Sequence, residues 1–330
     1  MTVLYITKPG AKVGVKDGRL EIKFQDALLE SIPFHTVERV AIMAPVQVSG
    51  AATTQLLMNQ IPVLYYSMKG RFLGLLHNGS SNVETLLCQV ERWQDSAYRL
   101  EIARRIIDHK IYNQYSVLRR QARNHQEAEL HYASQELRDL QKKISTAECL
   151  YTLRGLEGYG AKVYFGVLGK CLRQGGMQFI ERSRRPPLDE VNAMLSLGYM
   201  ILLGEVVAAL LEYGLHTGLG FLHEPSRRRE ALALDVIELF RQAVVDRFVL
   251  RMINLRVFQP EDFYRSEEDG VRLTAPALSR YLTEFENFLG AEKGAASASQ
   301  SYRKVIRTEV SGLKKDLQQE TQWRPVPLIS

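Results

Sequence analysis

Apolar and polar positions follow one rhythm in the first 80 or so residues and another in the rest of the chain. Val13 and Val15, then Leu20, Ile22 and Phe24, alternate with polar neighbours on either side of Asp17-Gly18. That dipeptide favours the positive φ angles of a two-residue turn, so the stretch predicts a β-hairpin. Val3–Ile6, Val37–Met43, Val63–Tyr66 and Phe72–Leu76 predict further strands, the last entered through a turn at Met68-Lys69-Gly70. Between them Ser49 is placed to cap a short helix through Leu57 by accepting from an unpaired N–H of its first turn.

From about Leu86 apolar residues recur three and four apart, as in Leu100, Ile102, Ala103, Ile106, Ile107 and Ile111, and Pro is almost absent until Pro186. Helices are predicted at about 86–125, 128–148, 150–173, 189–213, 231–256 and 275–289, with another from Tyr302 to Gln319. Asn78-Gly79-Ser80-Ser81-Asn82 has the composition of a linker. The expected fold class is α+β: a small, mostly-β N-terminal domain over 1–80, then a larger all-α domain over 81–330 with a mobile loop near 291–301.

Composition narrows this picture. A chain of 330 residues, 45% hydrophobic and 24% charged, has enough apolar material for a sizeable core, which excludes disorder as its main state. Cys88, Cys149 and Cys171 are far apart and form no C-x-x-C pair, so no disulfide framework or zinc site is readable. The N-terminus lacks the basic start and long apolar run of a signal peptide, and a reducing cytoplasm is expected. Met194 to Leu211 is apolar enough to raise a membrane span, but Ser196, Gly198, Gly204 and Glu205 interrupt it, and a buried helix is expected with no membrane partner. A net charge of +6 and pI ≈ 9.1 point weakly to a polyanion.

Three segments carry candidate chemistry. Glu157 lies in Leu156-Glu157-Gly158-Tyr159-Gly160-Ala161, where small residues permit close approach of a backbone or a phosphate. The competing reading is a glutamate near a helix start that complements the macrodipole. His223 ends the Gly-punctuated run 218–223 and is either a packed histidine or a ligand; the H-E-x-x-H zinc motif fails because position 227 is Arg. Asp235 and Glu238, three apart among apolar neighbours, share a helix face. Two like charges at such a seam call for a metal or a partner such as Arg241, unless the face is simply solvated. Carboxylates with one imidazole suit Mg²⁺ or Mn²⁺, and an incompletely ligated ion of that kind serves phosphodiester chemistry on a nucleic acid.

Basic residues flank these acids: Arg182, Arg184 and Arg185 before Pro186-Pro187, and Arg227, Arg228 and Arg229 between His223 and Asp235. Arg119, Arg120 and Arg123 form another cluster, as do Arg303, Lys304, Arg307, Lys314 and Lys315. Guanidinium groups hold phosphates in bidentate fashion without reading sequence, although each cluster also fits a solvated helix face.

At these positions the chain resembles the CRISPR-associated adaptation integrases, the Cas-one endonuclease family. The resemblance rests on Leu156-Glu157-Gly158 with Tyr164-Phe165, the run from Arg184 to Tyr199, Gly220-Phe221-Leu222-His223-Glu224, and Leu232 to Glu238 with Phe240-Arg241. Ile61-Pro62-Val63 and Lys69-Gly70-Arg71 fit the family's β domain, so it spans nearly the whole chain. The chain departs from the family at His216-Thr217, where many members carry Asp-Pro, and at Trp323-Arg324-Pro325-Val326, in place of a commoner Tyr and Phe pattern.

The resemblance implies a homodimer formed chiefly through the β domains and a divalent ion held by Glu157, His223 and Glu238, with Asp235 orienting or supporting. It implies that two dimers join a small Cas-two partner protein and insert double-stranded fragments of invader DNA into a CRISPR array, a fragment 3′-hydroxyl attacking a phosphodiester at the repeat boundary. Two alternatives stand beside it: a plain metal-dependent nuclease with water as nucleophile, and a non-catalytic nucleic-acid-binding scaffold.

Overall fold

A computed structural model describes residues 2–79, 82–125, 127–173, 176–227, 229–291 and 300–329. The chain divides into two compact units, Met1–Ser80 and Ser81–Ser330.

The first unit contains β1 (Thr2–Ile6), β2 (Lys12–Lys16), β3 (Arg19–Phe24), β4 (Ala27–Pro33), β5 (Val37–Ile42), β6 (Gln47–Val48), α1 (Gly50–Met58), β7 (Val63–Tyr66) and β8 (Phe72–Leu76). They form two four-stranded sheets, ordered β1-β5-β7-β8 and β4-β3-β2-β6. Val13 faces Ile22 and Val15 faces Leu20 across the β2–β3 hairpin, and its turn residues Asp17 and Gly18 have φ of +49° and +71°. Alternate residues of the strands, among them Leu4, Ile6, Val13, Leu20, Ile22, Val40 and Val63, make one core with Leu56 of α1. Ser49 caps α1 by accepting from the Ala52 N–H at 3.1 Å. β4 escapes the sequence pattern because its apolar residues Leu28 and Leu29 are exposed, so no alternation marks it.

The second unit is helical, with α2 (Val83–Gln94), α3 (Ser96–His125), α4 (Ala128–Ile144), α5 (Leu150–Leu168), α6 (Glu190–Glu212), α7 (Ala231–Ile237), α8 (Arg247–Asn254), α9 (Ala275–Gly290) and α10 (Tyr302–Leu317). It also holds a hairpin, β9 (Phe263–Ser266) with β10 (Gly270–Leu273), which corrects the all-α expectation. The hairpin is short, acidic at its turn and half exposed, so little patterning announces it. It braces the Pro186-Pro187 segment: the Val271 N–H donates to the Pro187 carbonyl at 2.9 Å, and a Cβ on Gly270 would lie 2.2 Å from that same oxygen.

Two predicted helices are divided. Asp95 ends α2 and its Oδ1 accepts from the Ala97 and Tyr98 N–H groups, starting α3 as an N-cap does. The helix expected over 231–256 is interrupted after Ile237, and Arg241–Asp246 form a π-helical segment before α8. α6 is apolar and 23 residues long, but 72% of its most apolar window is buried inside the protein. Its Glu205 pairs with Arg303, and Arg303 also pairs with the half-buried Glu286, so this buried arginine serves an ion triad and not a surface cluster. Gly214, with φ of +74°, ends α6 in a Schellman arrangement: its N–H donates to the Leu211 carbonyl and that of Leu215 to the Leu210 carbonyl. Most of the segment expected as a mobile loop, 292–299, lies outside the described residues.

Candidate metal centre

α5 carries Glu157 in mid-helix, past the first turn, so the macrodipole reading does not account for it. The same helix has Gly160, where a Cβ would lie 2.3 Å from Ile111 Cδ1 on α3. The missing side chain lets α3 approach, and Lys110, the residue before Ile111, reaches Glu157 Oε1 with its Nζ at 2.5 Å. The same ammonium lies 2.8 Å from Oε2 of Glu238, just beyond α7. Two carboxylates from distant parts of the chain thus converge on one cation.

Glu238 is buried and has a second positive partner, Arg241 Nη1, at 2.6 Å from Oε1. Burial by itself would raise its pKa, but the charges of Arg241 and Lys110 outweigh that and hold it at about 2; the nearby His223 contributes to the lowering. Glu238 is therefore a carboxylate at any working pH. Its Oε2 has the charge of Lys110 beside it, yet among the described residues no donor is aligned for a hydrogen bond to it.

His223 ends a tightly built loop. Asp235 of α7, fully buried, accepts through Oδ2 from the Phe221 and Leu222 N–H groups at 2.6 and 3.0 Å. Through Oδ1 it accepts from the His223 backbone N–H at 2.9 Å and contacts His223 Nδ1 at 2.7 Å. A carboxylate only accepts, so Nδ1 carries a proton, and in the neutral ring the lone pair lies on Nε2. Gly220 is required here, since a Cβ would sit 2.7 Å from the His223 carbonyl oxygen. Outer braces complete the loop: Trp93 Nε1 donates to the Gly220 carbonyl at 3.0 Å and Arg154 to the Leu222 carbonyl at 2.7 Å. At the departure from the family pattern, His216 accepts from Gln89 and donates its N–H back, while the Thr217 carbonyl accepts from the Leu232 N–H at the start of α7. Glu224 is engaged by Arg154 and Arg99, which lower its pKa.

Behind Glu238 lies a second polar layer. The Arg241 and Arg182 guanidinium groups lie against the Tyr199 ring at 4.4 and 5.4 Å, and the Tyr199 hydroxyl donates to Asp246 Oδ1 at 2.5 Å. Burial pushes the Asp246 carboxyl up to about 6, against the pull of the Tyr199 and Tyr164 hydroxyls and of Arg241 and Arg182. The folded value exceeds the unfolded one, so this group's contribution is fully present below about pH 4 and is lost as pH rises through 6. Asp246→Asn, uncharged throughout, is expected to match the parent near pH 4 and to exceed it above pH 7 by about 3 kcal/mol at most. Thermal unfolding across that range checks this; a gain at pH 4 equal to that at pH 8 overturns it.

The arginines divide. Arg184, Arg185, Arg227 and Arg229 are exposed, and Arg228 lies outside the described residues. Arg182 turns inward, donating to the Ser183 carbonyl, to Asn192 Oδ1 at 2.6 Å and to Ser196 Oγ at 3.1 Å. It ties its segment to α6 and is not presented to a phosphate. Lys110 is the residue that the sequence reading missed. Its signal was a charge on the buried stripe between Ile107 and Ile111, legible only as an anomaly without knowledge of what faced it.

The two units define an α+β protein whose helical part gathers carboxylates and an oriented imidazole as a candidate centre for a divalent ion. Residues 4–287 match the family described as CRISPR associated protein Cas1. The chain is 35% identical over 286 residues to a CRISPR-associated endonuclease Cas1 of Thermus thermophilus, covering 87% of this chain and 86% of that one. It is 34% identical over 332 residues to a Cas4/Cas1 fusion of Geobacter sulfurreducens, covering 98% of this chain but 59% of the fusion's length. Among solved structures, a chain of a Cas6-RT-Cas1–Cas2 complex superposes with a TM-score of 0.86 at 26% identity, over 100% of this chain and 36% of the other. The chain belongs to the Cas1 family.

Membership implies a divalent metal ion. The donor set suits one in kind: two carboxylates already share a cation position, and the third donor has its free nitrogen fixed by Asp235. Among the described residues no three acids, histidines or cysteines are grouped closely enough to hold an ion as they stand, and the space between the two glutamates is taken by Lys110 Nζ.

Proposed function

We propose that this chain is a CRISPR adaptation integrase that joins double-stranded DNA fragments to a CRISPR array by attack of a fragment 3′-hydroxyl on a phosphodiester. The observation that carries the reading is the convergence of Glu157 and Glu238 on one cation position beside an imidazole pinned by Asp235. Glu157, His223 and Glu238 would hold the ion, Mg²⁺ or Mn²⁺ by the hardness of two oxygen donors and the borderline character of one nitrogen. When bound, such an ion polarises the phosphodiester and stabilises charge on the attacking and leaving oxygens.

The chain's own residues do the rest. Asp235 fixes the ring of His223 and presents Nε2; Arg241 keeps Glu238 ionised and is itself backed by Tyr199. Arg184, Arg185, Arg227, Arg228 and Arg229 would hold DNA phosphates near the site, positioning the backbone without reading its sequence. Arg182 supports that arrangement from within by anchoring the segment on which Arg184 and Arg185 stand.

In this reading the helical unit, 81–330, is the catalytic domain. The β-rich unit, 1–80, forms a homodimer, and its exposed Leu28 and Leu29 supply apolar surface for one. A Cas2-type protein is the expected partner, as in the complex whose Cas1-containing chain this one resembles, and the cytoplasm is the expected compartment.

The test uses a duplex with either free or dideoxy-blocked 3′ ends and a plasmid bearing a repeat array. Covalent joining that requires both the free 3′-hydroxyl and Mn²⁺ or Mg²⁺, and disappears on chelation, is expected. Nicking indifferent to the 3′ end would assign the same centre to hydrolysis. Salt-sensitive binding without any metal-dependent product would leave only a scaffold.

A further inference from the structure

Lys110 has no place in the ligand set, yet both glutamates are arranged around it. It projects from α3 with its side chain 6% exposed, and its two contacts, at 2.5 and 2.8 Å, come from α5 and from the turn beyond α7. Glu238 also has Arg241, but among the described residues Lys110 is the one cation paired with Glu157. A buried ammonium is tolerated only where it is paired, and two neighbouring carboxylates repel each other unless a positive charge lies between them. Lys110, Glu157 and Glu238 satisfy both conditions at once.

We infer that Lys110 is the resident counter-ion of this centre: its ammonium holds the two carboxylates convergent when no divalent ion is bound, and it competes with the divalent ion for the space between them. The inference rests on Glu157 and Glu238 being ligands. With Lys110 and Arg241 both present, the four charged groups sum to zero, so an entering divalent ion meets a neutralised pair and the repulsion of an ammonium. Removing that ammonium leaves a net negative centre, more attractive to the ion and less stable without it. The lysine therefore exchanges metal affinity for order in the empty site.

The test compares the full-length parent with Lys110→Met, which keeps most of the stem and removes the charge, and with Lys110→Arg, which keeps the charge. Mn²⁺ affinity is measured by calorimetry, and melting is followed in EDTA and in saturating Mn²⁺. The methionine variant is expected to bind Mn²⁺ about tenfold tighter or more, to melt lower than the parent in EDTA, and to gain more on adding Mn²⁺. The arginine variant is expected to stay near the parent in affinity. If the methionine variant does not fold in EDTA, folding restored by Mn²⁺ supports the inference, and no restoration overturns it. Unchanged or weaker Mn²⁺ binding by folded Lys110→Met overturns it while the ligand assignment stands. Absence of Mn²⁺ binding in the parent defeats the ligand assignment itself, and this inference with it.

Discussion

His223→Ala is expected to lower metal-dependent strand transfer by more than about 100-fold, because even outer-shell partners of a metal ligand cost roughly 10–100-fold when removed. Duplex binding is expected to stay close to the parent. The separation follows from the two sets of groups. His223 is held by Asp235 with Nδ1 engaged, so its one available atom is Nε2, and alanine deletes the only nitrogen donor proposed for the ion. The groups offered to phosphate are exposed arginines, among them Arg184, Arg185, Arg227 and Arg229, whose contribution is electrostatic and salt-dependent. Gel assays of joined product and of duplex binding, at one fixed salt concentration, decide it. Transfer that survives in the alanine variant removes His223 from the site.

Asp235→Ala is expected to cost both stability and metal binding. Its carboxylate accepts from three backbone N–H groups, those of Phe221, Leu222 and His223, at 2.6 to 3.0 Å in a fully buried position. Alanine leaves these donors without partners, at about 1–3 kcal/mol for each buried unsatisfied group. A loss of at least about 3 kcal/mol is expected, a fall of roughly 10 °C in melting temperature for a unit of this size. The loop then no longer fixes the His223 ring, and Mn²⁺ affinity should fall about 10–100-fold. Asp235→Asn separates the two roles: its carbonyl oxygen can keep the His223 contacts, while its NH₂ faces the Phe221 and Leu222 donors and cannot accept from them. The asparagine variant should therefore lie between alanine and the parent in both measurements. A melting temperature unmoved in Asp235→Ala would show that the loop is held by its outer braces, Trp93 and Arg154, alone.

Elements whose signal is local were legible. The β2–β3 hairpin follows from Asp17-Gly18 between alternating strands, α1 from Ser49, and the helices from apolar periodicity. Those that depend on what lies opposite were not. β4 exposes its leucines, and the break after Ile237 occurs inside an unbroken apolar pattern. The site shows the same division. Glu157, His223, Asp235 and Glu238 are visible as polar residues at apolar or Gly-rich positions, and Arg241 as a neighbour three residues from Glu238. Arg182 and Arg303 read as members of basic clusters, because charge along the chain does not say which way a side chain turns. In the fold one is anchored to Asn192 and Ser196, and the other lies between Glu205 and Glu286.

By itself the sequence determined the two-part α+β organisation, the residues with ligand chemistry and the family resemblance, because these depend on residue type and short-range spacing. Only the tertiary structure decided that Lys110 lies between Glu157 and Glu238, that Asp235 is spent on a loop and a ring, and which arginines face solvent. The reason is distance along the chain: 47 residues separate Lys110 from Glu157, and no local pattern specifies such a pairing. It arises when Gly160 lets α3 close on α5 and the buried charges of Lys110 and Glu238 meet each other and the half-buried Glu157.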